Sequence, residues 1–316
     1  MNIVVTGGNG YLGAKISQHL HDIGHNVTSL FRNKLDFRDI QYKVKLVDWE
    51  NYQSIQDKLT NIDVVIHAAG MNFLSCEKDP KSAFRFNGLT TQNLINASIS
   101  KSVKKFIYFS TIHVYSDKLI GLIDENSKLL NSHPYATSHV AGENYVLHAA
   151  KTKKIDGVVL RLSNVFGCPS SKFQSGWDLL VNNLCKQVVE SNQIILNSDG
   201  QQLRDIIPIS NLCNITTQLL EINCTDQFSS IINIGTGDSY KVIDIARLVQ
   251  SRFEKKFGIK KEIKIDNSNK SDTNIFKYAS IYSSIINKYK TVQIVNEIDS
   301  ILDYCSVMKN TFEKNI

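Results

Sequence analysis

The stretch Asn2-Ile-Val-Val-Thr-Gly-Gly-Asn-Gly-Tyr-Leu-Gly-Ala-Lys-Ile-Ser-Gln-His-Leu20 decides how the rest of the chain is read. Ile3, Val4 and Val5 form a β-branched run without polar alternation, which suits a strand buried on both faces. Gly7, Gly10 and Gly13 then recur every third residue, and Leu12, Ile16 and Leu20 mark the apolar stripe of a helix. The order is strand, glycine turn, helix. A helix start carries unpaired N–H groups and a partial positive charge, so a pyrophosphate can settle there if no Cβ stands in its way. The turn is not a kinase-type phosphate loop, because Gly13 is followed by Ala14 where that motif needs Lys and Ser or Thr.

Outward from this stretch the alternation continues. Strands are expected at His25 to Arg32, Val44 to Val47, Ile62 to Ile66, Phe106 to Phe109, Val158 to Leu162 and Ile231 to Ile234, with a short one at Ile194 to Leu196. Helices are expected from Pro80 through Ile95, from Pro134 through Leu147, at Gly176 to Val189, at Val242 to Phe253, and near 280–286 and 295–307. This pattern predicts an α/β fold with a Rossmann-type doubly wound parallel sheet and a smaller C-terminal α/β substrate domain. The expected dinucleotide-binding domain is 1–165, joined by about 205–235, and the substrate domain is 166–204 with 236–316.

Three places carry candidate chemistry. After the fourth strand, Ala68, Ala69 and Gly70 are small enough for backbone to approach a ligand, while His67 reads as a packed strand-end histidine. At the end of the second strand an acid would grip the ribose of NAD, whereas an Arg accommodates the 2′-phosphate of NADP. Here Phe31 and Arg32 stand there, with no acid before Asp36, so NADP(H) is favoured and NAD(H) stays open. Tyr135 and His139 are four residues apart and share a helical face. A phenol beside the Ser110-Thr111 hydroxyls and a basic side chain is an acid–base group for a carbonyl–alcohol pair, although spacing alone leaves an ordinary helix face equally open.

The chain has 316 residues, 42% apolar and 21% charged, as expected of a globular enzyme with one large domain or two. Its net charge is +6. Ordinary solvated surface accounts for most of that charge, a mildly basic chain also suits anionic small molecules, and nucleic acid would want a denser basic stripe with interleaved aromatics. The six cysteines form no Cys-x-x-Cys pair, so neither a disulfide framework nor a metal site is expected. Scattered thiols, a first strand that follows Met1 directly and no apolar run near ~20 residues predict a cytoplasmic protein off the membrane.

Taken together, these residues resemble the extended short-chain dehydrogenase/reductase family, and within it the NAD(P)-dependent nucleotide-sugar epimerases, dehydratases and ketoreductases. The resemblance is carried by Thr6-Gly7-x-x-Gly10-x-x-Gly13, Asp48, His67 to Gly70, Asn87, Ser110-Thr111 with Val114-Tyr115, and Tyr135. It continues through Leu160-Arg-Leu-Ser-Asn-Val-Phe-Gly167, Asp199-Gly200 with Arg204-Asp205, and Asn233-Ile-Gly-Thr-Gly237. It implies that Gly7, Asn9, Gly10, Tyr11, Leu12 and Gly13 hold the cofactor phosphates and that Asp48 and Trp49 face the adenine. Arg32, Ala68, Ala69, Gly70, Asn87, Tyr135 and His139 complete the implied cofactor contacts. Thr111 would hold the substrate oxygen, Tyr135 move the proton, and Asn164 and Arg204 touch the diphosphate of a nucleotide sugar. A homodimer through the helix of Tyr135 and the one before it is also implied.

The chain departs from the family twice. His139 stands where the family places a lysine that holds the nicotinamide ribose and lowers the tyrosine pKa. An imidazole is shorter and mostly neutral at pH 7. Either it does a weaker version of that work, which intact Thr111 and Tyr135 favour, or the site binds without chemistry. Ile112-His113 replace the Asp-Glu that serves water elimination in the 4,6-dehydratases, so dehydration is disfavoured. What remains is C4 epimerisation with bound NAD or reduction of a keto-sugar by NADPH, and the absent acid at Phe31 leans toward reduction.

Overall fold

The computed structural model describes residues 1–33, 40–170, 176–224, 230–266 and 274–313, with the side chains of 310–313 left aside. The chain divides into two units. The first comprises Met1–Lys118, Glu125–Leu162 and Ile215–Ile234; the second comprises Leu119–Asp124, Ser163–Asn214 and Gly235–Ile316.

The first unit is built on a seven-stranded sheet in the order Ile231–Ile234, Asp156–Leu162, Lys105–Thr111, Val64–His67, Asn2–Thr6, Asn26–Phe31, Lys43–Leu46. Every neighbouring pair is parallel. Ile3, Val4 and Val5 are fully buried at its centre, as an unalternated β-branched run requires. The strand order turns back at Asn2–Thr6: the next two strands in sequence, Asn26–Phe31 and Lys43–Leu46, add on one side and all the later ones on the other. Such a reversal opens a crevice at the carboxyl ends, where sheets of this type take their ligands. Helix Tyr11–Asp22 lays Ala14, Ile16 and Leu20 on the sheet. On the other side, Val4, Val65, Phe106 and Val159 pack with Leu94, Ile95, Val146 and Ala149.

Several boundaries differ from the sequence reading. The fourth strand begins at Val64, not Ile62, because Asp63 is held outside it by the backbone N–H of Asn2 and by Lys104 Nζ. The expected single helix from Pro80 is three pieces: an α-turn Pro80–Ala83, a π-helix Phe84–Thr90 and an α-helix Thr91–Ser100. Hydroxyls there bond far back along the chain, Thr90 to the Arg85 carbonyl and Thr91 to that of Asn87. π segments of this kind are frequent at functional sites, and this one carries the buried Asn87. The helix expected at Gly176 to Val189 runs Leu180–Glu190, and that near 280–286 is only Ser283–Ile286.

Among its described residues the second unit has three small sheets. Leu203–Pro208 pairs antiparallel with Ser239–Lys241 and parallel with Asn164–Phe166, Glu262–Ile265 pairs with Gln193–Leu196, and Phe276–Tyr278 pairs with Gly121–Ile123. Helices Leu180–Glu190, Val242–Phe257 and Ile294–Glu313 close over a separate core that includes Leu184, Val188, Ile206, Val249, Ile301 and Leu302.

Candidate active site

The glycine turn is tight. Gly7 has φ +71°, and a Cβ there would lie 2.8 Å from the Ala69 amide nitrogen. A Cβ on Gly13 would lie 2.3 Å from the Gly7 carbonyl oxygen, so the helix can lean on the turn only with glycine there. Gly10 caps the helix without a side chain, and no acid occupies the first turn. Gly8, which the triplet pattern passes over, is equally constrained: its Cβ would strike Ser29 Oγ at 1.6 Å. Beside the turn, Thr6 Oγ1 accepts from the N–H groups of Ala68 and Ala69.

A cavity of about 720 Å³ lies in the same unit, lined among others by Arg32, Asp48, Trp49, Met71, Arg85 and Phe86. That volume suits a nucleoside-sized ligand. Trp49 is buried and packs edge-on against Phe86 at 6.2 Å, and Asp48 Oδ1 accepts from the Glu50 N–H. Arg32 is exposed and pairs with no carboxylate among the described residues. A turn that any Cβ would close, an uncapped helix start and this cavity together fit a dinucleotide.

Thr111, Tyr135 and His139 come together. Thr111 ends the strand Lys105–Thr111, and its Oγ1 accepts from the His113 N–H. Tyr135 follows Pro134, the first residue of helix Pro134–Lys151, whose cap is His133 Nδ1 accepting from the Tyr135 N–H. Burial raises the Tyr135 pKa, a hydrogen bond with Thr111 pulls it back, and nearby Cys76 raises it; none of these influences is a cation. The His139 ring meets the Tyr135 ring edge-on, centroids 4.7 Å apart. His139 is buried, its Nδ1 lies 3.0 Å from Tyr108 Oη, and burial followed by the His113 charge lowers its pKa to about 4. It is uncharged at neutral pH.

Other residues are placed by the protein itself. Asn87 Oδ1 accepts from the Met71 N–H, and its Nδ2 donates to Ser138 Oγ and weakly to Cys76 Sγ. Asn87 therefore ties the turn after Gly70 to the helix of Tyr135. His67 is the packed histidine expected: it is 1% exposed, bonds Thr6 and Thr91, and burial lowers its pKa to about 3. Sequence spacing missed the buried polar chain behind Thr111. Ser110 donates to Glu143, Arg161 pairs with Glu143 at 2.6 Å and donates to Tyr115 Oη, and Tyr115 donates to Asn233. These partners lie as far as 118 residues apart, beyond any periodicity.

Asn164 and Arg204 belong to the second unit. Asn164 Nδ2 donates to the Asp205 carbonyl. Arg204 is half-buried and donates to the Leu203 carbonyl, and burial lowers its pKa. No carboxylate pairs with it among the described residues: Asp205 instead accepts from Thr236 and Gly237 N–H groups. A partly desolvated guanidinium without a counter-charge is a ready anion site.

The NAD dependent epimerase/dehydratase family matches residues 3–235, and the chain belongs to that family. It is 24% identical over 278 residues to a dTDP-D-glucose 4,6-dehydratase of Dictyostelium discoideum, covering 78% of this chain and 61% of that one. It is 26% identical over 258 residues to a putative UDP-glucose 4-epimerase of Methanocaldococcus jannaschii, covering 78% and 81%. In fold it is similar to a UDP-glucuronic acid 4-epimerase from Bacillus cereus in complex with UDP-glucuronic acid and NAD, with TM-score 0.79, 24% identity and 98% and 100% of the two chains covered. Among the described residues no helix is long and apolar enough to cross a membrane, and no group of three His, Cys, Asp or Glu side chains could hold a metal ion.

Proposed function

We propose that the protein reduces C4 of a nucleotide-activated keto-sugar with NADPH, Tyr135 giving the proton. The observation that carries this reading is the phenol beside an uncharged imidazole. A family-type lysine would favour a phenolate, the form that takes a proton from an alcohol. Here Tyr135 has a raised pKa and no cation acting on it, so at neutral pH it is the protonated acid that a reduction consumes. Thr111 orients the carbonyl oxygen toward that phenol. When bound, the nicotinamide supplies the hydride. Arg32, exposed and unpaired among the described residues, supports the 2′-phosphate of NADP, and Arg204 with Asn164 supports a diphosphate on the substrate.

A second reading, 4-epimerisation with retained NAD, is supported by the Methanocaldococcus relative and the Bacillus cereus structure. Loss of absorbance at the nicotinamide band, with NADPH and a panel of 4-keto nucleotide sugars, tests the first. Interconversion of UDP-hexoses without net cofactor consumption would replace it with the second. A homodimer through helices Pro134–Lys151 and Thr91–Ser100 is part of the same proposal.

A further inference from the structure

Among the described residues, the His139 ring has one hydrogen-bond partner. Its Nδ1 lies 3.0 Å from Tyr108 Oη, and Tyr108, on strand Lys105–Thr111, is 1% exposed. The phenol is seated by Gly142, where a Cβ would come within 2.6 Å of Tyr108 Oη. His67 stacks on the Tyr108 ring at 5.4 Å, and Glu143 lies near enough to act on the phenol's charge. The opposite edge of the imidazole faces Gly70: Cε1 and Nε2 lie 3.7 and 3.8 Å from the position a Cβ would take there. The ring is thus anchored at Nδ1 and presents Nε2 to the turn after the fourth strand.

An uncharged imidazole has one N–H, and its tautomer decides whether Nε2 donates or accepts. The Tyr108 phenol also hydrogen-bonds Thr91, whose Oγ1 gives its own proton to the Asn87 carbonyl and bonds His67 Nε2, so Thr91 has no proton left for the phenol. Burial keeps the Tyr108 phenol protonated, so it has a proton to give, and His139 Nδ1 lies within reach of it.

We propose that Tyr108 is a positioning residue: it donates its phenol proton to His139 Nδ1, fixes the Nε2–H tautomer, and so presents a neutral hydrogen-bond donor at the Gly70 turn. The donor replaces a lysine ammonium in its hydrogen bond but not in its charge. For its effect on turnover this rests on the function proposed above, while the tautomer itself does not.

The test is nitrogen-15 NMR of the full chain labelled at histidine, at pH 7.5, with His139→Gln to assign the ring. The wild-type protein should show His139 protonated at Nε2 and bare at Nδ1. Tyr108→Phe should give a mixture of tautomers and weaken NADPH binding about tenfold, the loss of one oriented hydrogen bond. Tyr108→Phe with His139→Lys should recover that affinity, since an ammonium needs no orienting phenol. A wild-type ring protonated at Nδ1, or the same tautomer in both proteins, overturns the proposal whether or not any sugar is turned over. The wild-type spectrum alone decides the point if Tyr108→Phe does not fold.

Discussion

Tyr135 and His139 stand one helical turn apart, and on the function proposed above an uncharged imidazole leaves the phenol protonated where an ammonium would favour its anion. Tyr135→Phe should lower kcat by roughly 10²–10⁴-fold while leaving the Kd for NADPH within about twofold, checked by steady-state rates and fluorescence titration. Unchanged turnover would remove Tyr135 from the reaction. His139 and His67 also make a pH statement. Both rings are uncharged in the folded chain, with pKa values lowered to about 4 and about 3, while unfolded histidine titrates near 6.5. Below pH 6.5 the unfolded chain binds more protons, so stability falls as pH drops from about 6.5 toward 4. Each ring should account for on the order of 2 kcal/mol between pH 7 and pH 5, read by urea denaturation, and His139→Gln should remove about half of that dependence.

At the scale of elements, two strands and a helix are bound by the buried chain from Ser110 through Glu143 and Arg161 to Tyr115. Breaking a buried pair from one side leaves an uncompensated charge. Glu143→Gln should therefore cost roughly 3–5 kcal/mol of folding stability, and Glu143→Leu with Arg161→Met should cost less than the sum of the single changes. If the double variant is simply additive, the two side chains do not act as a unit. This network marks the limit of what the sequence makes legible. The unalternated run at Ile3–Val5 and the glycine triplet announce the central strand and turn, because burial and backbone room act within a few residues. The π-helix at Phe84–Thr90 is invisible to a 3.6-residue pattern, since the apolar residues there still fit an ordinary helix. Tyr108 reads as one more apolar strand residue until its hydroxyl is found against His139.

For the molecule as a whole, the two units have separate cores and are expected to answer to different ligands. NADPH should slow amide exchange in Met1–Lys118, and a nucleoside diphosphate should do so around Leu203–Pro208. If both protect only the first unit, Arg204 does not hold the diphosphate. Arg32→Glu should weaken NADPH roughly tenfold and leave NADH little changed, as measured by calorimetry. Equal losses for both would mean that Arg32 does not read the 2′-phosphate.

The seven-stranded sheet has an awkward birth. Its edge strand, Ile231–Ile234, is made long after its neighbour Asp156–Leu162, with most of Ser163–Asn214 emerging from the ribosome in between. The backbone N–H and C=O groups of Asp156–Leu162 that will later bond Ile231–Ile234 wait open during that interval, and an unpaired edge invites other chains. Slowing translation once residue 162 has left the exit tunnel should therefore raise the demand for chaperones, whereas slowing it once residue 234 has left the tunnel should not.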